Sequence, residues 1–514
     1  MGRTIDIFPV NRVEGDLEIR VELEDGVIAE ARSVGTLYRG FENILAGRSA
    51  LDGLVITPRI CGICSTAHLM AAAKSLDMIY SVSIPDTARR IRNIALGVEK
   101  LQNDMRHSFL IFMCDFANPC YRKHSLYEEA LFRYAPLKGK RSHRTAAETA
   151  KLIEIIAILG GQWPHSSFMV PGGVVSAPRL TDIAQCRWLL AAYRKWYESK
   201  VLGCDISRWA EVRNCADLAQ WLEESDTHRE SDMGMFLRFS HEAGLDKMGQ
   251  GHGNFISFGS MELPENTKVA SMGTGRDWQP SGFLSKGTVE PFDQQKIAED
   301  ISCSWFRDKE SGPCHPFDSI TVPYATGSEG KKYSWAKAPR YDGLPAETGP
   351  LAELLIARHP LFTDLVREKG PSVLVRQLAR MVRPALLLPV LDLWLSEVAQ
   401  DREIFFRNYR EIGSGEGFGL TGASRGALGH WVKIRNEKIE KYQIISPTTW
   451  NASPRDGRGL RGPWEEALIG TAVADPENPV EVGHIIRSFD ACLVCTVHAV
   501  RADDPCKRHS LFKC

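Results

Sequence analysis

Two cysteine motifs at opposite ends of the chain are the residues best suited to chemistry. The first contains Cys61, Cys64 and His68, and the second contains Cys492, Cys495 and His498. Two cysteines separated by two residues can direct both sulfurs at one ion, and thiolates bind soft or borderline metals such as zinc, iron, nickel or copper. Structural zinc usually closes short loops, whereas these pairs bracket almost the whole chain. The spacing therefore favours a buried reactive centre, with structural zinc as the alternative.

The composition limits the classes of partner. With 514 residues, 43% of them hydrophobic, the chain can bury a large core, and its formal net charge of −1 gives no reason to expect nucleic acid or an acidic membrane surface. No stretch reaches the ~20 apolar residues of a membrane span, and no apolar signal core follows Met1. The 13 cysteines are odd in number and scattered, which favours a reducing compartment. We therefore expect a soluble, cytoplasmic protein.

The elements that must position the cysteines are mostly helical. Alternating apolar and polar residues before and after Glu24-Asp25-Gly26 predict a β-hairpin, and Ser65 is the expected N-cap of an alanine-rich helix. Helical spacing predicts further helices at about 85–114, 144–160, 180–200, 350–369, 372–382 and 390–411. Residues 250–345 are expected to form irregular or strand-containing segments. The expected fold is α+β and predominantly helical, with a large central helical bundle, small peripheral β elements and one domain over residues 1–498.

Five further segments resemble those of the large subunit of nickel–iron hydrogenases. They are residues 11–15, 38–42, 333–343, 424–431 and 446–451. With the cysteine motifs they lie in the family's order, and the resemblance covers residues 5–498. It implies the large-subunit fold of that family and an enzyme that cleaves H2 heterolytically. The expected reaction is H2 uptake, with electrons passing to an iron–sulfur small subunit and then to quinone or another acceptor.

The resemblance also implies a ligand set for a nickel–iron centre. Cys61 and Cys492 would be terminal nickel ligands, while Cys64 and Cys495 would bridge nickel and iron. The iron would carry CO and cyanide ligands. A second ion, Mg2+ or a similar divalent cation, would be held by Glu42, by His498 and by the carbonyl of Ile444, because hard oxygen ligands suit Mg2+.

Further residues would act around the metals. Arg425 would donate hydrogen bonds to a cyanide and Ser424 to the second cyanide, while Asp490 would orient Arg425. Glu14 would be the first proton acceptor, and His68 would hydrogen-bond a cysteine sulfur. Each assignment has a structural alternative. These are a surface salt bridge for Arg425, packing for Ser424, a cap or a pair with Arg12 for Glu14, and a core histidine for His68.

Some residues depart from the family pattern. The segment before His107 contains Asp104 where relatives are rich in histidine, so the residue that supplies a carboxylate above the site stays open. Ala491 replaces a frequent proline, and Asp16 follows the first motif. These features resemble the cytoplasmic uptake and sensory branch. The expected location is therefore cytoplasmic, including peripheral association with a membrane through partners.

The resemblance implies several partners. The remaining cysteines lack iron–sulfur spacing, so the clusters are expected in a small subunit, within an assembly of several heterodimers. Residues 499–514 form a polar extension that a maturation endopeptidase would remove after nickel chaperones have acted. The alternative is an ordinary terminus, or a retained one as in sensory relatives. An H2-sensing regulatory subunit is the alternative function. A non-catalytic subunit related to respiratory complex I is disfavoured, since those relatives lack the four cysteines.

Overall fold

The computed structural model describes residues 3–8, 17–308, 312–327, 330–401 and 404–492. Within these ranges, no helix is both long enough and apolar enough to cross a membrane. The predicted α+β class with mostly helical content is confirmed.

The helices are numbered in chain order. They are α1 Phe41–Leu45, α2 Asp52–Ile56, α3 Ser65–Ile79, α4 Asp86–Arg106, α5 Tyr127–Tyr134, α6 Lys140–Leu152, α7 Glu154–Gly160, α8 Leu180–Trp196, α9 Ile206–Trp209, α10 Cys215–Glu224, α11 Asp226–Glu230, α12 Asp232–Glu242, α13 Pro350–Ile356, α14 Pro360–Lys369, α15 Val373–Gln400, α16 Pro447–Asn451, α17 Pro463–Leu468 and α18 Val480–Ser488. Single π-helical segments, His107–Phe112 and Tyr197–Leu202, directly follow α4 and α8.

The strands form small antiparallel sheets around these helices. They are β1 Arg3–Ile7, β2 Leu17–Glu24, β3 Val27–Gly35, β4 Met169–Val170, β5 Gly173–Val174, β6 Phe255–Glu262, β7 Asp277–Ser285, β8 Thr288–Glu290, β9 Ile297–Asp300, β10 Ala338–Tyr341, β11 Gly415–Ala423, β12 Gly426–Arg435 and β13 Lys438–Ile445. The sheets are β1–β2–β3, β4–β5, β6–β7–β8, β9–β10 and β11–β12–β13, so within the described residues each strand pairs only with strands next to it in sequence; a long connection joins β9 to β10. The predicted hairpin is confirmed as β2 and β3, whose turn residues Asp25 and Gly26 both have positive φ.

The long helices α4 and α15 pack together, and Arg383 of α15 binds Asp104 of α4 with hydrogen bonds of 2.9 and 2.6 Å. Arg376, Arg380 and Arg383 recur on one face of α15, and all three are buried. The Arg376 guanidinium binds Glu347 with two hydrogen bonds of 2.7 and 2.8 Å. The core that surrounds the cysteines is therefore crossed by a layer of buried ion pairs rather than being apolar throughout.

The helix that follows the first cysteine pair, α3, packs directly on β11. A Cβ atom built on Gly419 of β11 would lie 1.8 Å from the carbonyl oxygen of Ala71, so only glycine permits this approach. The β11–β12–β13 sheet thereby supports the cysteine-bearing end of α3.

Several predicted helix boundaries are wrong. The segment 144–160 is divided between α6 and α7. The segment 350–369 divides into α13 and α14, because Pro360 disfavours helical geometry at the residue before it. The two helices predicted at 372–382 and 390–411 belong to one continuous helix, α15, which ends at Gln400. The chain beyond it pairs instead with β5, since Phe406 forms a β-bridge with Gly173 and the amide of Val174 donates to the carbonyl of Phe405 at 3.1 Å. This contact between distant segments overrides the local helical pattern.

Candidate metal centre

Three cysteines from the two motifs meet in the interior. The sulfur atoms of Cys61, Cys64 and Cys492 all lie within 4.8 Å of one another, and each cysteine is at most 4% exposed. The sulfurs of Cys61 and Cys492 are 3.4 Å apart although 431 residues separate them in sequence. Three converging sulfurs form a soft donor set, which suits nickel, iron or zinc rather than magnesium or calcium.

The first cysteine pair is held by the start of α3. Cys64 immediately precedes the helix and is its N-cap residue, so the predicted N-cap at Ser65 is wrong by one position. The Cys64 side chain does not cap the helix. The carboxylate of Glu99 on α4 instead accepts the amides of Thr66 at 2.7 Å and Ala67 at 3.0 Å. A buried carboxylate thus satisfies amides of the first turn and fixes the position of Cys64.

The second motif is anchored by a different contact. The amide of Cys492 donates to the hydroxyl of Thr448 on α16 at 3.0 Å. Two residues earlier, Asp490 adopts φ 58°, a left-handed conformation that aspartate tolerates better than most residues. This turn ends the path of α18 and leads the chain into the thiol cluster.

Arg425 and Asp490 form a buried ion pair beside the thiols. The Nε of Arg425 donates to Asp490 Oδ1 at 3.0 Å, and the side-chain amide Nδ2 of Asn103 donates to Asp490 Oδ2 at 2.6 Å. Arg380 and His107 approach the same carboxylate at 3.7 and 3.8 Å. Burial alone would raise the pKa of Asp490, but Arg425, His107 and Arg380 lower it to about 2. The predicted contact between Asp490 and Arg425 is present.

A second nitrogen of Arg425, the buried Nη1, has no acceptor for its hydrogen atoms among the described residues. Burial alone would lower the pKa of Arg425, but Asp490 and the thiolates of Cys492, Cys61 and Cys64 raise it well above the ordinary value. Arg425 therefore places a permanent positive charge and an available N–H near the thiol cluster, as an anionic ligand there would require.

The neighbouring residues that the sequence left open are engaged elsewhere. Asp104 accepts two hydrogen bonds from Arg383, at 2.9 and 2.6 Å, and so faces α15. The residue that reaches Asp490 from this segment is Asn103. The hydroxyl of Ser424 donates to the carbonyl of Glu99 at 3.3 Å, so its predicted role toward a cyanide requires the hydroxyl to rotate.

His68 is fully buried one helical turn after Cys64. Its Nδ1 lies 3.1 Å from Nε2 of His430 on β12. Burial lowers the pKa of His68 to about 4, against the attraction of the Cys61 thiolate, so the imidazole is neutral at neutral pH.

Glu42 and Ile444, two of the three residues predicted to hold a divalent ion, are in contact. The Ile444 amide donates to the Glu42 carboxylate at 3.1 Å. Lys337 lies 3.2 Å from Glu42 and 3.4 Å from Glu299, and donates to Gln443 at 2.7 Å. The donor set consists of hard oxygens, and two carboxylates face one ammonium group. This composition fits Mg2+.

Three predicted site residues lie outside the described residues. They are Glu14, Cys495 and His498. Their assignments stay predictions.

Sequence reasoning missed several residues that complete the site. His430, Lys337 and Thr448 lie inside segments that resemble the family but were assigned no role of their own, and Asn103 adjoins Asp104. These segments offered a signal, because an unexplained polar residue within a matching motif is a candidate for the site. Glu99 offered none, since it lies mid-helix in an unremarkable amphipathic pattern.

The chain is similar over most of its length to one protein family. The sequence profile of the family described as "Nickel-dependent hydrogenase" matches residues 39–125 and 147–498. The periplasmic [NiFeSe] hydrogenase large subunit of Desulfomicrobium baculatum is 31% identical over 97% of this chain and 95% of its own length. The uptake hydrogenase large subunit of Rhodobacter capsulatus is 28% identical over 98% and 96%.

Solved structures give the same result for the fold. The Ni-Fe-Se hydrogenase of D. vulgaris Hildenborough in the reduced state superposes with a TM-score of 0.81 at 30% identity, covering 97% of this chain and all of that chain. The reduced, active Ni-Fe-Se hydrogenase of Desulfomicrobium baculatum gives the same score, identity and coverage.

Proposed function

This chain belongs to the nickel-dependent hydrogenase family, and from that premise we propose that it is a catalytic large subunit working in the direction of H2 uptake. One observation carries the proposal. Three buried thiols from opposite ends of the chain converge beside a buried arginine that keeps one N–H donor available. A structural zinc site needs no such donor.

The residues present fit a nickel–iron centre with CO and cyanide on iron. Cys61, Cys64, Cys492 and Cys495 would hold the metals through their thiolates. When bound, this centre supplies the heterolytic cleavage of H2. Arg425 would donate an N–H of Nη1 to a cyanide nitrogen, while Asp490 keeps the guanidinium oriented and neutralises part of its charge. Ser424 would serve the second cyanide, and Glu14 would receive the proton.

The decisive experiment combines metal analysis with infrared spectroscopy on the protein purified with its natural partner. We expect nickel and iron in equal amounts, together with CO and cyanide stretching bands. Cys492→Ser should abolish the bands, whereas Cys186→Ser, which alters another buried cysteine outside the cluster, should keep them. Zinc alone, without the bands, would refute the proposal.

The second ion is proposed to be Mg2+ held by Glu42, the Ile444 carbonyl and His498. The hard oxygens around Glu42 and the excess of carboxylates over ammonium groups support it. Glu42→Gln should lose one equivalent of magnesium in elemental analysis. Glu440→Gln, which changes an exposed carboxylate on the same strand as Ile444, is the matched control. Equal magnesium in both variants would contradict the assignment.

Electrons are proposed to leave through an iron–sulfur small subunit, within an assembly of several heterodimers. Among the described residues, the thiol cluster is accompanied by one other candidate metal-binding group, and that group contains a single thiol, Cys215. This supports an iron–sulfur relay that a partner subunit supplies. Purification through a tag on this chain should recover a subunit rich in iron and acid-labile sulfide. Recovery of an enzyme that passes electrons from H2 to an acceptor without an iron–sulfur subunit would overturn this assignment.

An H2 sensor remains the alternative within the same family. A catalytic subunit should sustain rapid H2 oxidation with quinones or dyes as acceptors, whereas a sensor should turn over slowly and bind a signalling partner. Steady-state turnover of the purified complex with a panel of acceptors discriminates between them.

Residues 499–514 are proposed to be removed by a maturation endopeptidase after nickel chaperones have delivered the metal. The family match, which ends at residue 498, supports this. The intact mass of the nickel-loaded protein should correspond to residues 1–498, which are proposed to form one domain. A mature protein that retains all 514 residues would contradict the proposal.

A cytoplasmic location, including peripheral association with a membrane through partners, is proposed from cysteine chemistry. No disulfide joins two of the described cysteines. The relative from Desulfomicrobium baculatum is named as periplasmic, so fractionation of cells is the direct test. Recovery of the mature protein in the periplasm would overturn the assignment.

A further inference from the structure

A line of three buried side chains leads away from the thiol cluster. His68 Nδ1 lies 3.1 Å from His430 Nε2, and His430 Nδ1 lies 2.9 Å from the hydroxyl of Tyr442. The three residues come from α3, β12 and β13, and none is more than 3% exposed. The sheet that packs against α3 thus places His430 and Tyr442 in a hydrogen-bonded line with His68.

Both imidazoles in this line are neutral. Burial lowers the pKa of His68 to about 4, and burial together with His68 lowers the pKa of His430 well below its usual value. A neutral imidazole carries one N–H and one lone pair, so each ring nitrogen is either a donor or an acceptor. Since Nδ1 of His68 and Nε2 of His430 share one hydrogen bond, the ring nitrogen that carries the proton in His68 fixes which nitrogen carries it in His430.

The predicted hydrogen bond from His68 to a cysteine sulfur would give the line a direction. Because Nδ1 of His68 faces His430, Nε2 is the ring nitrogen that would donate to a sulfur. If Nε2 of His68 carries the proton, Nδ1 must accept from His430 Nε2–H. His430 Nδ1 must then accept, and the hydroxyl of Tyr442 is the donor that reaches it. Burial raises the pKa of Tyr442, so the phenol keeps this proton.

We propose that His430 and Tyr442 are positioning residues, which hold His68 as the tautomer that carries its proton on Nε2, the nitrogen that would donate to a cysteine sulfur. This inference rests on the proposed function and extends it beyond the residues that would touch the metals. A hydrogen bond to a thiolate withdraws electron density from the sulfur and so tunes the bound metal. This arrangement buries no additional charge in the interior, because His68, His430 and Tyr442 are all neutral.

The test compares infrared spectra and reduction potentials of the nickel-loaded complex. Tyr442→Phe removes only the hydroxyl and keeps the ring, so His430 is no longer obliged to donate toward His68. We expect unchanged nickel content, CO and cyanide bands at lower wavenumber, and a more negative reduction potential, because the sulfur regains electron density. Tyr197→Phe is the matched control, since this buried tyrosine donates to the Met381 carbonyl at 2.8 Å and does not touch the line.

Two further variants separate positioning from packing. His430→Gln can still present an N–H to His68 and should keep the wild-type bands. His430→Phe keeps an aromatic ring without the donor and should shift the bands as Tyr442→Phe does, with about a 10-fold loss of turnover. If the phenylalanine variants fail to load metal, the glutamine variant decides: wild-type bands support the proposal and shifted bands overturn it.

The outcomes distinguish this inference from the proposed function. Bands that stay at their wild-type positions in Tyr442→Phe overturn the positioning role while leaving the hydrogenase centre intact. The absence of CO and cyanide bands from the wild-type complex instead removes the proposed function, and the inference with it.

Discussion

Asp490 is the buried carboxylate on which Arg425, Arg380 and Asn103 converge beside the thiols. Its carboxylate faces two buried guanidinium groups, those of Arg425 and Arg380, and is steadied by the amide of Asn103. Removing one member of a buried ion pair leaves an uncompensated charge, which costs more than the pair itself contributes. Asp490 therefore supports both the stability of the fold and the orientation of Arg425.

Asp490→Asn should lower the free energy of unfolding by about 3–5 kcal/mol at neutral pH. The pKa of Asp490 is lowered to about 2 in the fold, below its ordinary value of 3.8. Its contribution is thus complete above the ordinary value and is lost as the pH falls toward 2. Denaturant titrations of the metal-free protein at several pH values should show the difference between variant and wild type shrinking with acidity.

The matched control is Asp392→Asn. Asp392 pairs with Arg187 at 3.3 Å, but both side chains are about half exposed. Solvent screens such a pair, so its loss should cost less than about 1 kcal/mol. Equal effects of the two substitutions would contradict the interpretation of Asp490.

At the scale of elements, the site depends on how closely α3 approaches β11. Gly419 allows the strand to touch the helix backbone, and β12 and β13 then bring His430 and Tyr442 behind His68. The helix carries Cys64 at its beginning. Any separation of α3 from the sheet therefore moves a thiol and its hydrogen-bonding support together.

Gly419→Ala should destabilise the protein by about 1–3 kcal/mol and reduce nickel incorporation, because the added Cβ would lie 1.8 Å from the Ala71 carbonyl. Thermal unfolding and nickel content measure the two effects. Gly413→Ala is the control, since a Cβ at that position meets nothing within 4 Å. A Gly419→Ala protein with wild-type stability would show that the helix and strand can separate freely.

The sequence predicted what local patterns and motifs encode. The β2–β3 hairpin follows from alternation and an Asp-Gly turn, and the convergence of Cys61 with Cys492 follows from two matching motifs. Contacts between distant segments were not predictable in this way. Glu99 reaches the first turn of α3 through the packing of α4, and the contact of Lys337 with Glu42 joins residues 295 positions apart. No pattern within either segment specifies its partner.

At the scale of the whole molecule, the core contains buried titratable groups whose pKa values differ from their ordinary values. His107 is an example: burial lowers its pKa to about 3 even though Asp490 opposes the shift. The folded protein keeps this histidine neutral, while the unfolded chain binds a proton below the ordinary pKa of 6.5. Stability is therefore lost as the pH falls below about 6.5.

His107→Gln should make the free energy of unfolding of the metal-free protein less dependent on pH between about pH 6 and about pH 4. The slope should fall by up to one proton, or about 1.4 kcal/mol per pH unit. Urea titrations across this range measure the slope. His241→Gln, at an exposed position on α12, should leave it unchanged. An unaltered slope in His107→Gln would mean that this histidine is protonated in the fold.

The distance between the two cysteine motifs also has a consequence in time. A ribosome adds about 5–20 residues per second, so the 431 positions between Cys61 and Cys492 take about 20–90 s to translate. During that interval the early thiols exist on a nascent chain whose sheet β11–β13 and final motif have not been made. They are open to oxidation until the last segment arrives. Slow translation should therefore raise the fraction of chains whose first cysteine pair is damaged before it can receive metal.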